Sequence, residues 1–200
     1  MKFGAILADV PWHWKNWGRD VGKRSAASYY SVMSVEDIAN VPVGDVAADD
    51  CVLFFWVAWP MLFGKDGSPV HYITKSWGFE YKTLAFDWVK ITKNWKQHFG
   101  MGYWSRANSE ICLLFFRGHP KRMNAGVHSL IWEEYEPQVL AAKIGDHSEK
   151  PEAQYDKIES LVGGPYLELF GRKKRKGWTV LGNEIDGQDI QNSVRRLKKK

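Results

Sequence analysis

The sequence predicts an α/β protein with a mainly parallel central sheet. Short apolar runs alternate with helical or loop segments along the whole chain. The run at residues 51–57 is apolar without alternation, which is typical of a parallel strand buried on both faces. Near the carboxyl terminus, a helical pattern, two glycines and another apolar run follow one another, as in a helix-strand unit of such a sheet.

The predicted strands are the apolar runs bounded by turn residues. The first covers residues 3–8 and ends at an acid followed by a proline turn. The other runs cover residues 51–57, 84–89, 111–116, 166–170 and 178–181, with 127–132 as a weaker candidate. Ligand sites of α/β sheets form at the carboxyl ends of the strands, so functional residues are expected there.

Three helices are predicted between the strands. Ser34 is the expected N-cap of a short helix over residues 34–39. Residues 71–77 are a second candidate, weakened by two β-branched residues. Pro151 opens a third helix over residues 152–162, whose apolar residues have helical spacing.

Length and composition indicate one soluble domain. The chain has 200 residues, of which 44% are hydrophobic and 26% charged. We expect a single domain over residues 1–190 and a basic C-terminal tail over residues 191–200. The longest apolar run, residues 51–63, is interrupted by Pro60 and is shorter than the roughly twenty residues of a membrane span. No secretion signal opens the chain, so a cytoplasmic protein without a membrane partner is expected.

Cysteine and histidine usage predicts neither a disulfide framework nor a metal site. The only cysteines, Cys51 and Cys112, both lie in apolar runs. The histidines form no ligand pattern with the available acids and cysteines, so no metal is expected.

The aromatic content and the charge of the chain favour a nucleic-acid partner. The sequence contains 11 tryptophans, and its net charge at pH 7 is +5. Much of the positive excess lies in Arg172-Lys-Lys-Arg-Lys176 and Arg195-Arg-Leu-Lys-Lys-Lys200. Basic clusters with interleaved aromatics suit phosphate contacts and base stacking. The alternative is a solvated basic surface with a frayed tail.

The candidate reaction centre is the tetrapeptide Asp9-Val-Pro-Trp12, which directly follows the first predicted strand. A carboxylate and a backbone carbonyl in such a turn can both accept hydrogen bonds from one amino group, while the indole stacks on the ring that carries it. These groups together are suited to methylation of the exocyclic amine of a nucleobase. The alternative is a strand that ends in a proline turn with a solvated Asp9 and a packed Trp12.

Further motifs follow this turn along the chain. The whole set reads Ala8-Asp-Val-Pro-Trp12, Tyr30-Ser-Val-Met-Ser34, Val52-Leu-Phe-Phe-Trp56, Trp77-Gly-Phe79, Trp88-Val-Lys90, His147-Ser-Glu-Lys-Pro151, Glu168-Leu-Phe-Gly-Arg172, Gly177-Trp178 and Gly182-Asn-Glu184. As an ordered set, these motifs resemble the MT-A70 family of N6-adenine methyltransferases. That family includes the catalytic subunit of the eukaryotic messenger-RNA adenosine methyltransferase and bacterial and phage DNA adenine methyltransferases. The resemblance implies a Rossmann-like methyltransferase sheet in permuted order, with the catalytic strand first and the cofactor strand near the end.

The resemblance implies three catalytic residues, Asp9, Pro11 and Trp12. Asp9 and the carbonyl of Pro11 would accept the two amine hydrogens, and the Asp9 carboxylate would stabilise positive charge on the nitrogen. Trp12 would stack on the base. Val10 stands where the family usually has a first proline, and valine adds a backbone N–H and loosens φ. We expect activity with an altered turn, and a degenerate, non-catalytic member is the alternative.

The implied methyl donor is S-adenosyl-L-methionine. Lys150 matches the family lysine that contacts the carboxylate of the cofactor, with Ser148 beside it; alternatively, Ser148 caps the helix and Lys150 is solvated. Asn183 and Glu184 match the pair that holds adenosine polar groups. The other predicted cofactor contacts are Asp9, Val10, Leu169, Phe170, Gly171 and Arg172.

The predicted substrate surface comprises two long loops, residues 13–30 and 92–108. Tyr30 matches a family tyrosine that would help close the pocket, although an ordinary loop tyrosine fits as well. The predicted substrate contacts are Val10, Lys15, Tyr30, Lys93, Lys96, Trp104 and Arg106.

The chain looks like the compact bacterial and phage enzymes, so we expect DNA as the substrate, in a bacterial or phage-infected cytoplasm. An adenine in a duplex would have to flip out to reach the pocket. The alternatives are an RNA N6-adenosine methyltransferase and a non-catalytic nucleic-acid-binding member. A homodimer or a related partner subunit is possible.

Overall fold

The computed structural model describes residues 1–13, 32–91, 104–129 and 150–199. The six strands are β1 (Phe3–Ala8), β2 (Ala47–Val57), β3 (Glu80–Val89), β4 (Ser109–Arg117), β5 (Tyr166–Leu169) and β6 (Trp178–Leu181). The helices are α1 (Val35–Ala39), α2 (Pro69–Ser76), α3 (Ala153–Leu161), α4 (Asn183–Asp186) and α5 (Ile190–Lys198), and short 3-10 turns cover Val43–Asp45 and Trp59–Met61.

The strands form one sheet in the order β3-β4-β2-β1-β5-β6. β1 pairs in parallel with β2 and with β5, and β5 pairs in parallel with β6. β4 runs antiparallel to both of its neighbours, β2 and β3. The predicted α/β class with a mainly parallel sheet is therefore confirmed, with β4 as the reversed strand.

The position of β1 explains why a site forms around its end. Ala8 pairs with Phe55 on one side and with Leu169 on the other, so Asp9 leaves the sheet between two parallel neighbours. The chain crosses from β1 to β2 on one side, and returns to β5 on the other. Such a switch in strand order opens a crevice at the carboxyl edge of the sheet, where α/β proteins bind ligands.

Alternating side chains of the central strands fill two cores, one on each face of the sheet. On one face, Ile6 and Phe55 pack in a cluster that receives apolar residues of α1, α2 and α5. On the other face, Leu7 and Trp56 pack with residues of α3, including Ile158. Because both faces of β1 and β2 are covered, these strands read as continuous apolar runs.

Several element boundaries differ from the predicted ones. The N-cap prediction for Ser34 is confirmed, since its side chain accepts a hydrogen bond from the backbone N–H of Asp37 at 3.0 Å. α2 begins two residues earlier than predicted, because Ser68 caps it with Pro69 as the first helical residue. β2 and β3 each begin four residues earlier than the apolar pattern indicates. In β2 the exposed Asp49 and Asp50 interrupt the apolar pattern, and in β3 the first four residues are exposed.

The carboxyl-terminal region is more ordered than a tail. Ile190–Lys198 form α5, which Asp189 caps by accepting hydrogen bonds from two backbone N–H groups. Val194 of this helix is fully buried. Residues 127–129 of the weaker strand candidate are not in a strand, and the remainder of that candidate lies outside the described residues. None of the helices in the described ranges has the length and apolar character needed to cross a membrane.

Candidate active site

The turn after β1 forms the centre of the site. The backbone N–H of Trp12 donates to the carbonyl of Val10 at 2.9 Å, which closes the turn. The backbone N–H of Met33 donates to the carbonyl of Pro11, also at 2.9 Å. A carbonyl oxygen has two lone pairs, so this bond occupies one of them at Pro11. The turn is thus fixed at both ends while its carboxylate, Asp9, lies at the edge of the sheet.

The side chains of Val10 and Trp12 pack into the core beneath the turn. Val10 is 3% exposed and Trp12 is 6% exposed. The Trp12 ring meets Phe55 edge-on, with ring centroids 6.0 Å apart and an interplanar angle of 71°. This packing leaves little indole surface for the base-stacking role predicted for Trp12. Val10 fills an apolar position, which a proline would also fill.

Four charged side chains form a network across the edge of the sheet. Lys150 Nζ lies 2.8 Å from Asp9 Oδ2 and 3.2 Å from Glu110 Oε2. Lys90 forms a further ion pair with Glu110. The Lys150 ammonium also lies 5.7 Å from the centroid of the Trp56 ring, within the range of a cation–π contact. Two cations and two anions therefore alternate from the end of β3 to the end of β1.

The network favours the charged forms of Lys150 and Glu110, whereas burial has the larger effect on the pKa of Asp9. Desolvation lowers the pKa of Lys150, but the carboxylates of Asp9 and Glu110 outweigh it and raise that pKa above its ordinary value. Desolvation tends to raise the pKa of Glu110, and the ammonium groups of Lys150 and Lys90 lower it overall. For Asp9, desolvation outweighs the attraction of Lys150, so the pKa of its carboxyl is raised. Lys150 is 7% exposed at its side chain and stays protonated across the physiological range.

Two cavities open on either side of Asp9, and Asp9, Phe170 and Arg172 line both of them. The lysine cavity, of about 330 Å³, is also lined by Trp56, Lys150, Tyr155, Glu168, Gly171 and the cations of residues 173–176. The asparagine cavity, of about 410 Å³, is also lined by Val10, Pro11, Asp37, Asn183, Glu184 and Asp189. Of the predicted cofactor residues that the structure describes, all but Leu169 thus line one or both of these cavities, which share three lining residues.

A second carboxyl group lines the lysine cavity. Glu168 Oε1 accepts a hydrogen bond from the hydroxyl of Tyr155 at 3.0 Å. Its other oxygen, Oε2, is buried and has no hydrogen-bond partner among the described residues. Desolvation raises the pKa of Glu168 to about 7, the Tyr155 hydroxyl lowers it in part, and the Asp9 charge adds to the rise. Glu168 therefore carries a polar atom in need of a ligand.

The two glycines that follow β5 and β6 allow these strand ends to approach each other. A Cβ on Gly171 would lie 2.3 Å from Val180 Cγ1, and a Cβ on Gly182 would lie 2.1 Å from the carbonyl oxygen of Gly171. The backbone N–H of Gly171 donates to the carbonyl of Leu181 at 3.0 Å. Only glycine fits at these positions. The close approach brings the predicted cofactor residues that follow β5 near those that follow β6.

Phe170 has an unusual backbone conformation at the junction of the two cavities. Its φ of 64° lies in the left-handed region, which bulky residues rarely adopt. Such strain is often found at functional sites. Phe170 lines both cavities. Beside it, Arg172 Nε lies 3.5 Å from Glu184 Oε1.

The structure separates Leu169 from the other predicted cofactor residues. Its side chain is fully buried in the core, so the expected side-chain contact with a ligand is not available. Trp104 is fully exposed and Arg106 is exposed, at the segment that leads into β4. The predicted site residues Lys15, Tyr30, Lys93, Lys96 and Ser148 lie outside the described residues.

Several charged residues of the network and the cavities were not predicted as site residues, among them Lys90, Glu110 and Glu168. Lys90 and Glu168 lie inside motifs that carry the family resemblance, so those motifs could have identified them as site residues. Glu110 precedes an apolar run, and nothing in its local sequence distinguishes it from a solvated strand end. Within the described ranges, no group of three or more His, Cys, Asp or Glu side chains is arranged to hold a metal ion.

Comparison with known proteins gives a match over nearly the whole chain. Residues 3–184 match the MT-A70 family. The Type II methyltransferase M.MunI of a Mycoplasma species is 29% identical over 206 residues, a match that covers 95% of this chain and 81% of that protein.

Two human proteins are also similar. The N(6)-adenosine-methyltransferase catalytic subunit METTL3 is 28% identical over 93% of this chain. The N(6)-adenine-specific methyltransferase METTL4 is 30% identical over 92% of this chain. The chain spans only 29% of the length of METTL3 and 37% of the length of METTL4.

Proposed function

The chain belongs to the MT-A70 family of N6-adenine methyltransferases, and we propose that it transfers a methyl group from S-adenosyl-L-methionine to the exocyclic N6 amine of adenine in DNA. The observation that carries this proposal is the convergence of Asp9, Lys150 and the glycine-bounded ends of β5 and β6 on two cavities that share three lining residues.

The residues around the cavities fit the cofactor. Lys150 is a permanent cation that suits the carboxylate of the methionine end. Glu168, with its unpaired Oε2, lies in the same cavity and suits the amino group of that end. Asn183 and Glu184 line the other cavity and suit the polar groups of the adenosine end. We therefore assign the methionine end to the lysine cavity and the adenosine end to the asparagine cavity.

Asp9 and Pro11 would hold the amine of the target base. Lys150 occupies Asp9 Oδ2, so we assign Oδ1 to one amine hydrogen. Met33 occupies one lone pair of the Pro11 carbonyl, so we assign the other lone pair to the second hydrogen. The cofactor would supply a methyl group on a positively charged sulfur. As the N6 lone pair formed the new C–N bond, the C–S bond would break with its electron pair going to sulfur, and one proton of the nitrogen would pass to solvent.

The chain's own residues would lower the barrier in two ways. The Asp9 carboxylate lies where positive charge develops on the nitrogen, and a fixed charge at such a place is usually a large part of catalysis. The turn that carries Asp9 and Pro11 is tied to Met33 and to the core, so the two acceptors keep a constant separation.

DNA is the proposed substrate, and RNA is the second candidate. The match with M.MunI, named a Type II methyltransferase, covers 95% of this chain and 81% of that protein, which supports DNA. The similarity to METTL3, named an N(6)-adenosine-methyltransferase, favours the alternative of RNA.

Methyl transfer to DNA and RNA of the same sequence tests the proposal. The strands are incubated with labelled S-adenosylmethionine, digested and analysed for N6-methyladenine by mass spectrometry. We expect product on DNA, and a loss of at least about a hundredfold in rate for Asp9→Ala, the order seen when one charge-stabilising group is removed. Full activity of Asp9→Ala would refute the assignment of Asp9, and product on RNA alone would refute DNA.

A further inference from the structure

Exposed aromatic side chains are concentrated at the carboxyl edge of the sheet. Trp59 and Phe63, which are 46% and 79% exposed, lie in the turn that follows β2. Trp104 is fully exposed in the segment that leads into β4. Because β4 is antiparallel, its beginning lies at the same edge as the end of β2.

Trp59 is held more firmly than an ordinary surface tryptophan. Pro60 follows it in a short 3-10 turn, closed by a hydrogen bond from the backbone N–H of Met61 to the carbonyl of Ala58 at 2.8 Å. The indole Nε1–H donates to the carbonyl of Ser109 at 3.1 Å. Its one polar atom is therefore satisfied, and the surface left exposed is the apolar ring.

Among the described residues, the other tryptophans with a hydrogen-bonded indole are buried. Trp56, Trp77 and Trp178 also donate hydrogen bonds through Nε1, and each is at most 8% exposed. Trp59 thus combines a fixed indole with exposed ring surface, which is the arrangement of a rigid contact platform.

The platform adjoins the reaction centre. Ser109, which anchors the indole, precedes Glu110, and Glu110 is linked through Lys150 to Asp9. Lys90 reaches the same place, since its backbone N–H donates to the carbonyl of Asn108 at 2.7 Å. An aromatic surface beside cations at the entrance of a base-modifying site is suited to a polynucleotide strand.

We propose that Trp59 stacks on the nucleobase that neighbours the target adenine in the polynucleotide substrate. This inference rests on the proposed function and adds a substrate contact to it. When an adenine leaves the stack to enter the site, the adjacent base loses a stacking partner. The fixed indole of Trp59 replaces that partner, so the strand is held while the adenine is bound.

The test is the binding of a short labelled single-stranded oligonucleotide with one central adenine, measured by fluorescence anisotropy without methyl donor. Trp59→Ala is expected to weaken binding roughly five- to 150-fold, the range of one base–aromatic stack, and Trp59→Phe by less than about fivefold. Tyr72→Ala is the matched control, because Tyr72 is 52% exposed on α2. This control should leave affinity unchanged, and thermal unfolding confirms that each variant is folded.

A second comparison identifies the base that is stacked. An abasic residue beside the central adenine should weaken binding by the unmodified protein, and should have no further effect on Trp59→Ala, because the two changes remove the same contact. The inference is overturned if Trp59→Ala binds the oligonucleotide as well as the unmodified protein does. It is also overturned if the abasic residue has the same effect on both proteins.

The outcomes separate this inference from the proposed function. Methyl transfer to adenine by the unmodified protein, with binding that does not depend on Trp59, would refute only the stacking role. Loss of self-association in Trp59→Ala with unchanged oligonucleotide affinity would show a protein-docking surface and would refute that role as well. Absence of methyl transfer would refute the proposed function whatever the binding result.

Discussion

Replacing Glu168 by glutamine tests the electrostatics of the lysine cavity. Burial raises the pKa of Glu168 to about 7, so the folded protein holds this side chain largely protonated under mildly acidic conditions. Glutamine has nearly the size and shape of the protonated form, and its carbonyl can accept the hydrogen bond from Tyr155. The change therefore removes the titration while it keeps the packing.

The size of the effect follows from the pKa difference. The pKa is about 7 in the folded protein, against an ordinary value of 4.5. A shift of one unit corresponds to about 1.4 kcal/mol, so the full difference amounts to about 3 kcal/mol. Because Glu168 is only partly buried as a whole residue, solvent reduces this value, and we expect about 1 to 3 kcal/mol.

The sign of the pH dependence is determined by the protons bound in each state. With its pKa raised, folded Glu168 binds more protons than the unfolded chain does between about pH 4.5 and pH 7, so its contribution to stability falls as pH rises through that window. Glutamine does not titrate. The free energy of unfolding of Glu168→Gln, relative to the unmodified protein, should rise by the stated amount from about pH 4.5 to above about pH 7.

Urea unfolding at several pH values across this window measures the difference. Glu80→Gln is the control for the loss of an exposed carboxyl, since Glu80 is exposed at the start of β3. A difference for Glu168→Gln that stays constant with pH, or that falls as pH rises, would refute the buried, uncompensated state of this carboxyl.

Two further substitutions test the network and the strand ends. Lys150→Met should destabilise the protein by about 3 kcal/mol, because two carboxylates lose their shared ammonium. Lys150→Arg keeps the positive charge and should lose less than half as much stability. Equal losses of the two variants in urea unfolding would contradict this. Gly171→Ala places a Cβ 2.3 Å from Val180 Cγ1 and should cost about 1 to 3 kcal/mol. Gly163→Ala is the control, because its Cβ would lie 3.5 Å from the nearest atom, and it should change the stability by less than about 0.5 kcal/mol. A similar loss in both glycine variants would contradict the steric overlap at Gly171.

Local sequence patterns were enough to predict most of the fold. Buried strands such as β1 and β2 read as apolar runs, because helices cover both faces of the sheet. The cap at Ser34 was predictable because one side chain and one backbone N–H decide it. The expectation of a site at the carboxyl edge followed from the strand pattern alone, and Asp9 lies there.

The charge network required information that no local pattern contains. Glu110 is the second residue of β4, and if β4 ran parallel to β2, its first residues would lie at the opposite edge of the sheet, away from Asp9. The antiparallel direction of β4 brings Glu110 to Lys150 instead. Strand direction depends on pairing between distant segments, so the sequence of β4 does not reveal it.

Side-chain direction at the end of β5 was equally hidden. Leu169 follows the alternation of the strand into the core, whereas Phe170 adopts the left-handed conformation that re-aims the chain. Glycine normally signals such a position. Because the residue here is phenylalanine, the pattern gave no sign that the chain turns before Gly171 rather than at it.

Asp9 and Glu168 are two carboxyl groups at one edge of the sheet with different partners. Desolvation raises the pKa of both. Asp9 has an ammonium 2.8 Å away in Lys150, which offsets part of this rise, whereas the partner of Glu168 among the described residues is the hydroxyl of Tyr155. Lys150 therefore does more than suit a ligand, because it supports the charge that the proposed amine contact of Asp9 requires. The pKa of Glu168, at about 7, makes its charge sensitive to a cation bound in the lysine cavity.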